Sequence, residues 1–405
     1  NPLRVPPPAA FTARLALSKR MWLAFLLPCL APWAPAAVAD AVDAGDWTAM
    51  VSPRGQLFPS LVVATATMAS EADATARGVI GDAHGVVGVT LTARRAGEAV
   101  RVTVSLPGLA RESVLEARLP EAGRRYELYP LVQWDYARLR ALRQPAPETV
   151  VFRLERDGEP AGTRSERVRV RAINDVPYAV RDADGVLDLA WMFAAYVNED
   201  HPLVEKVLKD ALESGIVDRF DGYQSGDPGQ VYRQVFAIWN VLQRRGIRYS
   251  AIQRTSSVDN AVLSQHVRFL DESWDNGQAN CVDGSVLLAS ILRRIDLNPT
   301  LVLVPGHMLL GFDLDPGGRQ RAYLETTRLG SVPRHGNGQL RGLTDGLGGD
   351  VDEERSLESF EGAVELGRET VDAARGRFDD PRDVEYRLID IAAARRRGVM
   401  PIAAS

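Results

Sequence analysis

The sequence predicts an α+β protein, because two kinds of apolar periodicity follow one another along its 405 residues. From Leu57 to Ile173 apolar and polar residues alternate, which is typical of strands with one buried face. Further along, the apolar spacing becomes helical, and an apolar helix after Cys281 is followed by three short strands. We therefore expect an N-terminal β-sandwich domain, then an α+β core in which that helix packs on an antiparallel sheet.

Changes in composition divide the chain into five predicted segments. Asn174–Pro177 is interpreted as the linker between the sandwich and the core. The segments are a signal peptide at 1–39, the β-sandwich domain at 45–176, the α+β core at 180–330, a glycine-rich loop at 331–355 and a C-terminal helical region at 356–405.

The first segment has the features of a secretory signal peptide. Lys19 and Arg20 precede the apolar run 21–30, and the small-x-small triplet 37–39 suits cleavage near Ala39. The protein is therefore expected to be exported, to a periplasmic or extracellular location. No later segment is both long enough and apolar enough to cross a bilayer, so no stable membrane span is expected after cleavage.

Charge and cysteine content narrow the classes of partner and cofactor. Lys and Arg number 48 against 53 Asp and Glu, giving a net charge of −5, so nucleic acid is not expected as a partner. Two cysteines and five histidines exclude a disulfide framework and a cysteine-rich zinc site. We expect no metal and no cofactor.

Cys281 is the candidate nucleophile. A polar and glycine-containing run ends at this residue, and the apolar helix begins there, so the thiol lies in the helix's first turn. Free amides and the positive end of the helix dipole favour a thiolate, and the same amides can hold an oxyanion. Gln278, Asn280 and Trp274 are candidates for oxyanion or substrate contacts. The alternative is an inert buried cysteine.

His307 is the candidate general base. It opens the strand His307–Asp313, which follows a buried strand at Leu301–Val304. His266 is the best rival, because it lies near Cys281 in sequence. Asp283 shares the first helical turn with Cys281, and we expect its carboxylate to point away from the sulfur, whose ionisation it would oppose.

Together these residues resemble the transglutaminase-like superfamily of papain-type thiol enzymes. The likeness covers about 246–330: the segment Ile247–Tyr249, a glycine four residues before Cys281, a strand opened by His307, and Tyr323–Thr327 where the family places its acid. The resemblance implies that Cys281 is the nucleophile, His307 the base and Glu325 the acid that orients the imidazole.

Two departures from the family pattern bear on activity. Met308 and Leu309 follow the histidine where the family usually has an aromatic residue, and the acid is Glu325 rather than aspartate.

The register of the strands decides whether Glu325 lies opposite His307. In an antiparallel hairpin the numbers of paired residues have a constant sum. Glu325 lies opposite His307 if that sum is 632, which needs an odd-length loop between the two strands. A two-residue turn would place Thr326 opposite His307 instead. We predict the odd register or a bulge.

These observations predict an exported thiol enzyme that hydrolyses or transfers at peptide or isopeptide amide bonds of a protein or peptide substrate. One alternative is a non-catalytic peptide-binding or scaffolding protein that retains the fold. A zinc hydrolase using His307, His266 and Glu325 is a weaker alternative, because these residues lack the spacing of paired zinc ligands.

Overall fold

The computed structural model describes residues 46–69, 77–182, 185–251, 261–331, 353–380 and 382–402, and these belong to one compact unit. The predicted signal peptide and nearly all of the predicted glycine-rich loop lie outside the described residues. Within them, no helix has both the length and the apolar character needed to cross a bilayer.

The N-terminal half is mainly antiparallel β-structure, built from the alternating segments. Its elements are β1 (Trp47–Val51), β2 (Gln56–Leu57), α1 (Pro59–Thr65), β3 (Val79–Gly81), β4 (Val87–Thr92), β5 (Glu98–Ser105), β6 (Ala110–Arg111), β7 (Ser113–Leu119), β8 (Arg125–Tyr129), β9 (Gln133–Trp134), α2 (Tyr136–Ala141), β10 (Ala146–Arg156) and β11 (Glu159–Val170). They form a four-stranded sheet, β1-β4-β8-β3, a five-stranded sheet, β2-β11-β10-β5-β7, and a β6-β9 ribbon. Buried residues of the two larger sheets share one hydrophobic cluster.

The C-terminal half mixes helices with short strands. Its elements are β12 (Asp175–Asp182), β13 (Gly185–Asp188), a 3₁₀ helix (Ala190–Tyr196), α3 (Pro202–Glu213), α4 (Pro228–Arg245), β14 (Arg248–Tyr249), β15 (Val262–His266), α5 (Leu270–Asn276), β16 (Gln278–Ala279), α6 (Cys281–Arg294), β17 (Pro299–Val304), β18 (His307–Asp313), β19 (Arg321–Leu324), a 3₁₀ turn (Thr326–Arg328), α7 (Glu353–Ala373), β20 (Arg387–Asp390) and α8 (Ile391–Arg396). The α+β class predicted from the sequence is therefore confirmed.

One antiparallel sheet carries the residues of greatest interest. Its strand order is β19-β18-β17-β20, and α6 packs against β17 and β18. Residues 281–292 of α6 are all buried, which explains why its apolar pattern has few breaks. The helix therefore fixes the position of its own first residue, Cys281, relative to the strand that His307 opens.

The predicted linker is wrong in conformation. Asp175–Asp182 forms β12, which pairs with β15 in the C-terminal half, and Val176 is fully buried. Buried polar contacts add to this junction: Ser60 donates to the Asp175 carbonyl, and Arg171 pairs with the Asp175 carboxylate. The turn-like Asn-Asp-x-Pro composition was overridden by tertiary pairing, which local propensity does not encode.

The predicted C-terminal helical region also needs correction. It contains α8 and most of α7, and between these helices the strand β20, which was not predicted, pairs with β17 at the edge of the central sheet. Gly376 has a left-handed φ of 86°, which ends the helical path after α7. The strand is four residues long, too short for a period-two pattern to stand out from its helical surroundings.

Candidate active site

Asn280 starts the helix that carries Cys281. Its side-chain oxygen accepts hydrogen bonds from the amides of Val282 and Asp283, both 2.9 Å long, while the Asp283 carboxylate accepts one from the Asn280 amide. This reciprocal capping box consumes two of the amides that we expected to face an oxyanion. Among the described residues, the Cys281 amide is the first-turn donor that keeps no acceptor.

Asp283 points away from the sulfur, as the sequence predicted. Its carboxylate accepts from the Arg268 amide at 2.8 Å and pairs with the Arg268 guanidinium at 2.6 Å. The Asp283 side chain is fully buried, so this ion pair neutralises a charge that would otherwise oppose a thiolate two residues away in the same turn. The cap and the ion pair together hold the start of α6 rigidly.

His307 and Glu325 are in direct contact. The imidazole Nε2 lies 2.7 Å from a Glu325 carboxylate oxygen, and the carboxylate is almost completely buried. The other oxygen of Glu325 accepts from the amide and the hydroxyl of Thr327. Because Nε2 is held by Glu325, Nδ1 is the ring nitrogen left for the thiol of Cys281, which contributes most to the raised pKa of His307.

The strand register differs from the prediction by two residues. Leu310 pairs with Leu324, so paired residue numbers sum to 634 rather than 632, although the odd-length loop is as predicted. The third strand also ends at Leu324, earlier than expected, and Glu325 begins the 3₁₀ turn. Glu325 therefore reaches His307 diagonally, a distance that a long side chain can cover. The extra methylene of glutamate, compared with aspartate, suits this register.

The turn after Glu325 is tied to the start of α6. The Thr326 hydroxyl donates to the Cys281 carbonyl at 3.2 Å, and the Ser285 hydroxyl donates to the same carbonyl at 2.7 Å. A Cβ at Gly284 would lie 3.1 Å from the Thr326 side chain, so glycine there permits the close approach. These contacts hold Glu325 and Cys281 in a fixed position relative to each other.

The contacts of His307 stabilise its protonated form. Hydrogen bonds to Cys281 and to Glu325 outweigh partial burial and raise the pKa of His307 to about 10. Burial opposes ionisation of Glu325, but hydrogen bonds from His307 and Thr327 are stronger and lower the pKa of that carboxyl. An imidazolium at neutral pH is the partner that a thiolate at Cys281 requires.

Sequence reasoning did not single out Tyr249 as a site residue. β14 pairs in parallel with β16, which places Tyr249 beside Ala279, two residues before Cys281. The phenol is 44% exposed, and burial together with the nearby charges of Cys281 and Glu325 raises the pKa of Tyr249. The only signal for Tyr249 in the sequence is that it is an aromatic residue in a short segment. The pairing of that segment with the run before Cys281 is seen only in the structure.

The three candidates for oxyanion or substrate contacts lie in different environments. Asn280 is buried and uses its side-chain oxygen for the helix cap. Gln278 is exposed and pairs with Arg248, so in the two-residue ribbon its side chain takes the opposite face from Ala279. Trp274 is buried in α5, with Lys206 and Arg245 about 5 Å from its ring centroid. Their roles stay predictions.

His266, the rival base, has a different partner. Its Nδ1 lies 3.3 Å from the Asp175 carboxylate on β12, where it joins the buried Arg171 cluster. The described residues contain no group of three or more histidine, cysteine, aspartate or glutamate side chains placed to hold a metal ion. The thiol of Cys281 raises the pKa of His307, the other histidine considered as a base.

Comparisons with known proteins add little to this geometry. No protein-family model and no curated protein matches the chain. One solved structure, described as a candidate cysteine protease from Cytophaga hutchinsonii, is 12% identical and covers 59% of this chain and 75% of its own, with a TM-score of 0.20. These values are too low to transfer a fold or a function.

Proposed function

We propose that the protein is a thiol enzyme of the transglutaminase-like type, acting at peptide or isopeptide amide bonds through Cys281, His307 and Glu325. The observation that carries the proposal is the 2.7 Å contact of His307 Nε2 with Glu325, which leaves Nδ1 for Cys281, the residue that contributes most to the raised pKa of His307. A nucleophile, a base and an orienting acid in mutual contact constitute the arrangement that thiol acyl transfer needs. We place these residues in a papain-like core that follows an N-terminal β-sandwich.

The acylation step follows from these contacts. The proton of the Cys281 thiol lies on Nδ1 of His307 before the substrate reacts, so the sulfur attacks the amide carbonyl carbon as a thiolate to form a tetrahedral intermediate. The Cys281 amide donates to the oxyanion. As the C–N bond breaks, imidazolium passes its proton to the leaving amine, and the acyl group remains on the sulfur as a thioester.

The deacylation step reverses these roles. His307 accepts a proton from water or from an amine as that nucleophile attacks the thioester, and the resulting imidazolium faces the thiolate that leaves as the C–S bond breaks. Glu325 keeps Nε2 protonated throughout and stabilises the imidazolium. Water makes the enzyme a peptidase or amidase, while an amine makes it a cross-linking acyltransferase.

A peptide-turnover assay tests the proposal. Full-length protein and a Cys281→Ala variant are incubated with a mixture of glutamine- and lysine-containing peptides, with and without a primary amine, and the products are identified by mass. We expect cleaved, deamidated or amine-linked peptides from the wild type alone. Peptide retention without turnover would favour the binding-protein alternative and contradict the enzyme.

We also propose that the enzyme acts after export, on the strength of the basic flank, apolar run and small-x-small triplet within 1–39. Expression in a bacterium with a secretory pathway, followed by mass analysis of the purified chain, tests this. The expected N-terminus is near Asp40. Recovery of an uncleaved chain in the cytoplasm would contradict export.

The decline of kcat/KM at alkaline pH should reflect the deprotonation of His307. The raised pKa predicts that kcat/KM declines near pH 10, where the imidazolium needed to protonate the leaving amine is lost. Replacing Glu325 by glutamine removes the negative charge that favours imidazolium, so this decline should move to lower pH by about one unit or more. Glu361→Gln, on the exposed face of α7, is the matched control. An unmoved decline in Glu325→Gln would show that the carboxylate does not support His307.

Tyr249 is our candidate for the second oxyanion donor. Because Asn280 is used as a cap and Gln278 lies on the other face of its ribbon, the protonated phenol is the better-placed exposed donor. Tyr249→Phe should lower kcat by about 10- to 100-fold, since one oxyanion donor contributes on this order. Alkylation of Cys281 by iodoacetamide should be unchanged, and Gln278→Ala should keep near-wild-type kcat. The reverse ranking of the two variants would assign the donor to Gln278.

A further inference from the structure

Gly367 is an interior residue of α7, and the absence of a side chain there lets the helix approach β19 closely. It lies in the middle of the 21-residue helix α7, where glycine is less favourable than alanine, and it is buried. A Cβ built at Gly367 would lie 2.6 Å from the carbonyl oxygen of Tyr323 and 2.9 Å from the amide nitrogen of Leu324. Both atoms are backbone atoms of β19, which cannot rotate away as a flexible side chain can.

The close approach at Gly367 coincides with a bond to the catalytic acid. The amide of Glu325 donates to the carbonyl of Ala363 at 3.0 Å. Ala363 lies four residues before Gly367, so the two residues occupy the same face of α7. Helix α7 therefore covers the end of β19 and holds the residue whose carboxylate orients His307.

Helix α7 is anchored on its other side, so it cannot simply retreat. Phe360 is fully buried, with its ring 4.9 to 5.9 Å from the rings of Tyr232, Phe236 and Trp239 in α4. The Ser359 hydroxyl accepts a 2.7 Å hydrogen bond from Gln243, also in α4. A side chain at position 367 would consequently push β19 outward and displace Glu325 with it.

We propose that Gly367 is a positioning residue of the active site, which acts by letting α7 seat β19 so that the carboxylate of Glu325 meets His307. The inference rests on the proposed function, but it concerns a helix outside the segment that resembles the transglutaminase-like family. Its effect on chemistry passes through Glu325 alone. A displacement of about 1 Å at such a group can cost on the order of 100-fold in rate.

The test compares two glycines of the same helix. A Cβ at Gly362 meets only the Arg328 guanidinium, at 3.9 Å, so Gly362→Ala is the matched control. The rate of iodoacetamide labelling of Cys281 at pH 6 is measured by mass analysis of its peptide. This rate reports on the Cys281–His307 pair without any substrate. We expect Gly367→Ala to lower the labelling rate at least tenfold, because a displaced Glu325 no longer supports the imidazolium that favours a thiolate. Gly362→Ala should remain within about twofold of wild type.

A double-mutant cycle shows whether the effect passes through the acid. If it does, Gly367→Ala should change the labelling rate by less than about twofold when Glu325 is already glutamine. An undiminished further loss in that background would overturn the positioning role, as would equal rates for the two glycine variants. If Gly367→Ala does not fold, Phe360→Leu loosens the anchor of α7 and should also slow labelling, with the same non-additivity; additive losses would overturn the inference.

The control measurement separates this inference from the proposed function. A wild-type thiol that labels at pH 6 no faster than an ordinary cysteine would refute the activated pair itself. Rapid wild-type labelling with indifference to Gly367→Ala would leave the pair intact and refute only the role of Gly367.

Discussion

Replacing His307 by alanine is expected to slow alkylation of Cys281 at pH 6 by about 300-fold. An ordinary thiol with a pKa near 8.5 is only about 0.3% ionised at that pH, and a neighbouring imidazolium can increase the reactive fraction up to about 300-fold. The contact of His307 with Cys281, reinforced by Glu325, is the source of the difference. The measurement is the rate of iodoacetamide incorporation into the Cys281 peptide across a pH series.

The matched control for this variant is His266→Ala. His266 is hydrogen-bonded to Asp175 rather than to the thiol, so its removal should leave the labelling profile of Cys281 unchanged. Equal profiles for His307→Ala and the wild type would contradict the assignment of His307 as base. Slow labelling in His266→Ala alone would transfer the role to that histidine.

Replacing Asp283 by alanine is expected to lower the free energy of unfolding by about 3–5 kcal/mol. The substitution removes the carboxylate from the ion pair with the Arg268 guanidinium, which is only 20% exposed, and it removes the acceptor for the amides of Arg268 and Asn280. Loss of one member of a buried ion pair is among the most destabilising single changes in proteins. Urea titration followed by circular dichroism measures the difference.

Asp275→Ala supplies the control for this experiment. Asp275 is exposed in α5, so its replacement should change stability by no more than about 0.5 kcal/mol. A loss below about 1 kcal/mol in Asp283→Ala would show that the Arg268 pair contributes little, and that the start of α6 is held by the Asn280 cap instead.

The start of α6 was largely readable from the sequence because its determinants are local. The end of the polar run, the residues able to cap and the apolar period all lie within a few residues of Cys281. The same holds for α4, where Asp227 caps the first turn and Gly246 ends the helix in a left-handed conformation. The strand beginning at His307 also follows from a local turn and a short apolar run.

Contacts between distant segments were not readable. The two-residue shift between β18 and β19 depends on the conformation of the connecting loop and on how α7 covers β19, neither of which has a local signature. Pairing of β12 with β15 likewise overrode the linker composition around Asp175. Tyr249 was missed as a site residue because only the β14-β16 ribbon brings it beside the segment before Cys281.

Detection of an acyl group on Cys281 would show directly that the thiol acts as a nucleophile. Full-length protein is mixed with p-nitrophenyl acetate, and the release of p-nitrophenol is followed together with the mass of the Cys281 peptide. We predict a burst close to one equivalent of enzyme, with one acetyl group on Cys281, in the wild type and in Gly362→Ala. Absence of the burst, or acetylation of Cys281 at the same rate in His307→Ala, would contradict an activated Cys281–His307 pair.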